Sequence, residues 1–431
     1  MNKINIGLIG CGEIGSGVVK ILNERKTLLK QKIGVELVLK KICDKNLNYK
    51  RRVKINLGLL TKNVREILDD PQIDIVVELI GGINPAKDFI IEALKKSKYV
   101  VTANKALLAT FGKELFDAAR TANKNIYFEA SVAGGIPVIK SIKEGLVANR
   151  FLGIYGIVNG TCNYILSKMS QDGLSFAESL KEAKKKGFAE KNPRLDLEGI
   201  DSAHKLILLT YLAFGRLIPL EHIRVEGITH ISLSDIRYAD ELNLAIKLLA
   251  IAKKEGNKLD VRVHPTLIHK KHLLASVKWE YNAIYVSSDL AGKQLFYGKG
   301  AGQLPTASAV VSDLVDLAKD IKAGLFRPTL EINPDTSVKL LQDKDNIESR
   351  YYIRFVAVDK PGVLAQIAGI LAKFNISIAS VTQKEKDRAK VVPVVMITHE
   401  VKEGLMRRAL ERIDNLALVK GKTVAIRMED L

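Results

Sequence analysis

Asp201 and Lys205 stand four residues apart in the stretch AEKNPRLDLEGIDSAHKLILLTYLAF, Ala189 to Phe214. A carboxylate and an ammonium at that spacing share one face of a helix. The same helix is otherwise apolar: Ile200, Ala203, Leu206, Ile207, Leu208, Tyr211, Leu212 and Phe214 leave little polar surface, the pattern of a buried element. Two readings follow. The pair is either an ion pair at the partly exposed start of the helix, or a lysine held out of water to move a proton.

Other residues decide what that proton would serve. Gly10-Cys11-Gly12-Glu13-Ile14-Gly15 follows an apolar strand and opens a helix with Ile14, Val18, Ile21 and Leu22 on one side. In this context Gly10, Gly12, Glu13, Ile14 and Gly15 form a loop whose backbone approaches a pyrophosphate at the helix N-terminus. Asp44 ends the next strand, where an acid would hold the ribose hydroxyls of NAD. Lys45, Lys50, Arg51 and Arg52 follow it and would instead meet the 2′-phosphate of NADP. Ala103 and Lys105 lie at the carboxyl end of a later strand, the edge where open α/β sheets bind ligands, although a lysine there also suits the start of a surface helix. Glu129, before SVAGGIP, is a loop carboxylate or an oxygen ligand for a hard cation. His264, His269 and His272 lack the spacing of a metal site, and Cys162 has no evident histidine partner. Hydride transfer between a nicotinamide and a carbonyl requires a proton donor, which gives Lys205 a purpose.

The elements that must position these groups are legible in outline. Residues 3–9, 35–43, 73–80, 99–103 and 125–130 read as strands alternating with helical patterns, a doubly wound parallel sheet. Helices are expected near 84–97, 161–187, 200–214, 236–256 and 308–323, the last returning to the first domain, and strands at 151–158, 261–267 and 283–288. The tail, 351–358, 363–374, 377–385, 391–399, 402–414 and 419–428, spells βαββαβ. The expected organisation is 1–132 for dinucleotide binding, completed by about 301–325; 133–300 as a separate substrate domain; 335–349 as linker; and 350–431 as a further small domain.

Composition narrows the classes. The 431 residues carry 67 Lys and Arg against 48 Asp and Glu, a net charge of +19. The excess is spread in short runs without interleaved aromatics, so a nucleic-acid partner is not expected. The longest apolar stretch falls far short of the roughly 20 residues that span a bilayer. A strand begins at once after the N-terminus, and three cysteines lack CxxC spacing; a cytoplasmic protein is the expectation.

Taken together, GLIGCGEIG, VTANKALLA, EASVAGGIP, GIVNGTCNYIL, AEKNPRLDLEGIDSAHK and GKGAGQLPTASAV resemble homoserine dehydrogenase over about residues 1 to 325, and the tail, with VDKPGVLAQIAGILAKFNISI, resembles an ACT domain. The resemblance implies a Rossmann doubly wound parallel sheet, an α+β substrate and dimerisation domain, and a C-terminal ferredoxin-like βαββαβ domain. It implies NADPH, with NADH as the alternative, and reversible reduction of L-aspartate 4-semialdehyde. Lys205 would be the proton donor, Asp201 its orienting partner or a substrate ligand, Glu190 the grip on the substrate ammonium with Asp196 beside it, Lys105 a neighbour of nicotinamide and substrate, and Gly302 part of a loop over the cofactor. Glu129 with the carbonyls of Val132, Gly134 and Ile136 matches a monovalent cation site, sodium by expectation. Asp359, Gly362 and Asn375 fall where ACT domains bind amino acids, with threonine the expected effector; a homodimer or homotetramer is implied. Aspartate-semialdehyde dehydrogenase would need a catalytic cysteine with a histidine partner. The remaining alternative is a non-catalytic sensor of dinucleotide and amino acid.

Overall fold

The computed structural model describes residues 3–47, 53–325, 336, 338, 340–383 and 391–431. The chain divides into two compact units, residues 1–151 with 204–222 and 282–335, and residues 152–203 with 223–281 and 336–431.

The first unit begins with β1 (Lys3–Ile9), α1 (Glu13–Glu24), α2 (Lys26–Ile33), β2 (Glu36–Cys43), β3 (Leu60–Thr61), α3 (Arg65–Leu68), β4 (Ile75–Glu78), α4 (Ala86–Lys95), β5 (Tyr99–Thr102), α5 (Lys105–Thr121), β6 (Ile126–Tyr127) and α6 (Val138–Lys140). The strands form one parallel sheet in the order β3-β2-β1-β4-β5-β6. The order reverses beside β1, and a doubly wound sheet binds its ligand at such a switch point. Ile4, Ile6 and Leu8 of β1 are buried, as befits strands covered on both faces.

The second unit carries β7 (Phe151–Ile157), α7 (Gly160–Asp172), α8 (Phe176–Lys185), α9 (Arg194–Leu197), the start of α10 (Ile200–Phe214), β8 (Arg224–Val225), α11 (Leu233–Glu241), β9 (Leu244–Glu255) and β10 (Lys258–His269). Two expectations are corrected here. The single helix over 161–187 is two, broken at Gly173 (φ +67°) and restarted by a Ser175–Glu178 capping box. The helix expected over 236–256 stops at Glu241, and β9 pairs with β10 along all 12 of its residues. Ile246 to Ala252 are buried whichever way they point, so a strand covered on both faces presents the same largely apolar run, here broken only by Lys247, as a core helix.

The chain then supplies β11 (Tyr281–Ser288), β12 (Lys293–Lys299) and α12 (Gln303–Ala323) to the first unit. Ala307, Val310, Leu314 and Leu317 of α12 share one core with β1 and α1, and Gly17 lets the two helices touch: a Cβ there would lie 2.9 Å from that of Ala307. The tail adds β13 (Leu340–Leu341), β14 (Glu348–Val358), α13 (Val363–Lys373), β15 (Ile378–Gln383), β16 (Val391–Thr398), β17 (Val401–Lys402), α14 (Glu403–Asp414) and β18 (Val424–Met428) to the second unit, with its own core around Ile353, Phe355, Ile367 and Met406. Parts of the expected linker and the end of the expected strand 377–385 lie outside the described residues. Within the second unit the sheet runs β7-β9-β10-β18-β14-β16-β15, so the tail continues the sheet of the substrate part through parallel pairing of Thr266 with Arg427 and Leu267 with Met428.

Candidate active site

In the first unit the loop after β1 is built for close approach. Gly10 has φ +95°, and a Cβ on Gly15 would sit 2.2 Å from the Gly10 carbonyl oxygen. Gly12 has open space on its side-chain side and offers no side-chain cap to α1, so the first-turn amides face outward for a phosphate. Glu13 is exposed and Ile14 half-buried at that turn. Asp44 has a task the spacing did not foretell: its carboxylate accepts the amides of Cys11 (2.8 Å) and Asn46 (2.8 Å), bracing the glycine loop against the end of β2. Lys50, Arg51 and Arg52 lie outside the described residues. Gly302, with φ +109°, caps the start of α12, and the next residue, Gln303, donates to the Glu13 carbonyl at 3.0 Å. The structure thus sets Gly302 beside the glycine loop.

Lys105 opens α5 immediately beyond Ala103 and Asn104. The Asn104 side chain caps the helix at Leu107 N–H and donates to the Gly82 carbonyl at 2.6 Å, while Thr102 Oγ1 donates to buried Glu78 at 2.7 Å. Glu78 also accepts the Ile80 amide. Glu78 and Asn104 therefore fix the sheet edge that carries Lys105. Asn104 had a local signal, an Asn before a helical run; buried Glu78 had none.

Glu129 is 2% exposed, and its two oxygens accept the amides of Ile139 (2.9 Å) and Lys140 (2.9 Å). Its own amide donates to Asp313 of α12 at 2.9 Å. Burial pushes the Glu129 carboxyl up to about 7 against the pull of those amides, and pushes Asp313 well above the usual carboxylate range. Val132, Gly134 and Ile136 follow on the adjoining loop, whose Gly135 amide donates to Lys299. A hard oxygen set beside two buried carboxyls is chemically suited to a monovalent cation. Asp313 is 184 residues from Glu129 and could not be paired with it from sequence.

In the second unit one amide gathers the acids. Asn159 caps α7 through the Cys162 amide (2.8 Å), and its Nδ2 donates to Asp196 at 2.7 Å and to Asp201 at 2.9 Å. Thr161 donates to the Phe188 carbonyl at 2.6 Å. One side-chain amide thereby bridges two carboxylates. Cys162 is buried, its thiol 3.1 Å from the Asp196 carbonyl, a structural role. Glu190 is exposed and has no hydrogen bond to any described residue, so the structure does not tie it to Asp196. Asp201 sits half-buried in the first turn of α10. Lys205, four residues on in the sequence, belongs to the first unit and is 9% exposed. Asn159 lies in the quoted stretch GIVNGTCNYIL, but which groups its amide would reach depended on the fold.

In the first unit, a glycine loop at the switch point of a parallel sheet, with Lys105 beyond the carboxyl end of β5, defines a dinucleotide-binding protein as the class. Residues 10–129 match the homoserine dehydrogenase NAD binding domain, residues 137–315 the homoserine dehydrogenase family and residues 351–417 the ACT domain. The homoserine dehydrogenase of Neisseria gonorrhoeae is 41% identical over the whole of both chains. The crystal structure of a homoserine dehydrogenase from Thiobacillus denitrificans matches with a TM-score of 0.91 at 42% identity, over 100% of this chain and 99% of that one. A hyperthermophilic archaeal homoserine dehydrogenase in complex with NADPH matches with a TM-score of 0.63 at 26% identity, over 75% of this chain and all of that one. The chain belongs to the homoserine dehydrogenase family, in the form that carries an ACT domain. No helix among the described residues is long and apolar enough to cross a membrane.

Proposed function

We propose that the chain catalyses the reversible reduction of L-aspartate 4-semialdehyde to L-homoserine, with NADPH preferred, in the biosynthesis of threonine, methionine and isoleucine. The observation that carries this reading is the pairing of Asp196 and Asp201 on the Asn159 amide, at the start of the helix that also bears Lys205. The nicotinamide, when bound, supplies or accepts the hydride. Gly10, Gly12, Glu13, Ile14 and Gly15 hold the dinucleotide phosphates, Gly302 closes over them, and Ala103 and Lys105 meet the nicotinamide end. Glu190 takes the substrate ammonium, with Asp196 beside it. As the carbonyl carbon becomes tetrahedral, its oxygen gains negative charge and Lys205 gives it a proton; in oxidation the neutral amine takes that proton back. Asp201 orients the lysine.

Glu129, with the carbonyls of Val132, Gly134 and Ile136, would hold sodium or another monovalent cation, because a buried carboxyl lifted to about 7 gains most from a bound positive charge. The working assembly in this reading is a cytoplasmic homodimer or homotetramer, and the ACT domain senses an amino acid, threonine first among them.

Lys205→Met keeps most of the stem and removes the ammonium. The expected enzyme binds NADPH normally, followed by fluorescence titration, with turnover lowered on the order of a thousandfold. Lys205→Arg should not rescue it, since a guanidinium does not release its proton. Turnover within about threefold of the unaltered enzyme would move the proton transfer to Lys105.

A further inference from the structure

Between α14 and β18 of the tail and the segment from β8 to His230 of the substrate part lies a cavity of about 780 Å³. The loop of Asp359 and Gly362 is elsewhere, at the other end of β14. The cavity floor is a closed ion network: Arg427 donates to Glu403 (2.7 Å) and to Glu226 (2.8 Å), and Arg224 reaches the same two carboxylates. Above that floor are groups left with capacity. Lys422 is exposed and makes no ion pair among the described residues. Asp414 spends one oxygen on the Thr423 amide (2.9 Å). The Thr423 hydroxyl is buried without a hydrogen-bond partner in a residue only 8% exposed, an unfavourable state unless something else completes it. Met406 and Leu410 supply an apolar wall.

We propose that this cavity is an effector site for an L-α-amino acid with a short aliphatic side chain. Its carboxylate meets Lys422, its ammonium Asp414 and Glu411, and its side chain Met406 and Leu410, while the Thr423 hydroxyl gains its missing partner. The inference deepens the regulatory reading of the tail and rests on it. The route to the substrate cluster is short. Glu226 on the cavity wall precedes Gly227, which lies so close to α9 that a Cβ there would fall 2.0 Å from the Leu197 carbonyl oxygen. The next amide, of Ile228, donates to that same oxygen at 2.9 Å. Leu197 is the neighbour of Asp196, which Asn159 holds. A ligand that shifts the Arg224–Glu226 wall therefore bears on Asp196 through one hydrogen bond and one backbone contact, and it does so only in so far as it binds the two positions of that wall unequally.

Isothermal titration calorimetry of the full-length chain with L-threonine, L-valine and L-methionine in turn tests this without requiring turnover. At least one should bind with one site per chain. Lys422→Glu, a surface change, should weaken it by about tenfold or more, and Thr423→Val by roughly threefold to tenfold. Asp359→Ala should leave it unchanged, and all three variants should keep basal kcat and KM within about twofold. In activity assays the bound amino acid should raise the KM for the aldehyde more than it lowers kcat. Loss of binding in Asp359→Ala with binding retained in Lys422→Glu overturns the proposal, as does failure of all three amino acids to bind at millimolar concentration. A chain that binds the amino acid but consumes no NADPH with aspartate semialdehyde would overturn the catalytic reading and leave the site standing.

Discussion

In the unit that holds the glycine loop, Glu129 and Asp313 are buried side by side, opposed by backbone amides and by Lys140, whose ammonium lies 3.8 Å from Asp313. In the other unit, half-buried Glu226 and buried Glu403 surround the guanidiniums of Arg427 and Arg224, and Tyr351 also donates to Glu403. Burial pushes all four carboxyls up. In the first pair that effect prevails, whereas in the second Arg427 overrides it and holds both Glu226 and Glu403 below the usual carboxylate range. The lesson is that a carboxylate neutralised from within the chain serves as a structural joint, here between tail and substrate part. One left short of positive charge keeps its carboxyl raised by burial. In the Asp196–Asn159–Asp201 cluster a neutral amide bridges two half-buried acids.

The largest effect should come from breaking the compensated cluster. Arg427→Met leaves Glu226 and Glu403 sharing Arg224, and urea titration should register a loss of roughly 3–5 kcal/mol. A loss under about 1 kcal/mol would mean that water or Arg224 already neutralises them.

The uncompensated pair should reveal itself through pH. Glu129 has a folded pKa raised from 4.5 to about 7, so its favourable contribution is complete below 4.5 and is lost as pH rises towards 7; at about 1.4 kcal/mol per pH unit the loss is roughly 3 kcal/mol. Glu226 and Glu403, whose pKa values are lowered, contribute stability above 4.5 that disappears as pH falls. Melting temperatures in choline chloride should therefore fall between pH 5 and 8, and sodium chloride at equal ionic strength should flatten that slope. Glu129→Gln should lessen the slope, leaving the part due to Asp313, and reduce its sodium dependence. A slope in Glu129→Gln equal to that of the unaltered chain would assign it to other groups.

For the Asn159 cluster, Asn159→Ala removes the amide that bridges two acids and uncaps α7. A fall in kcat/KM of about tenfold to a hundredfold is expected, with a loss of stability near 1 kcal/mol. Equal loss of stability with kinetics unchanged would make Asn159 a cap and nothing more. The smallest effect is at the edge of the joint. Tyr352 donates to Asp235 at 3.1 Å, but Arg354 grips the same carboxylate at 2.6 Å, so Tyr352→Phe should cost about 1 kcal/mol by chemical denaturation.

Local pattern determined a good deal of this protein. The glycine loop, the strands of the parallel sheet, the apolar α10 with Asp201 and Lys205 four apart, and the βαββαβ order of the tail are each written in consecutive residues, because turn chemistry and side-chain periodicity act over one element at a time. What spacing could not carry is the identity of partners. Ile246 to Ala252 became a strand because β10 offered 12 residues of pairing and both faces were covered, conditions invisible within the run itself. Asp44 turned to brace the Cys11 amide, and Asn159 gathered acids 37 and 42 residues away. Arg427 found Glu226 across 201 residues of chain, and Glu129 met Asp313 across 184. Whether a buried carboxylate is satisfied or left short of charge depends on which groups folding brings within a few ångströms, and that is fixed by tertiary packing, not by neighbours in the chain.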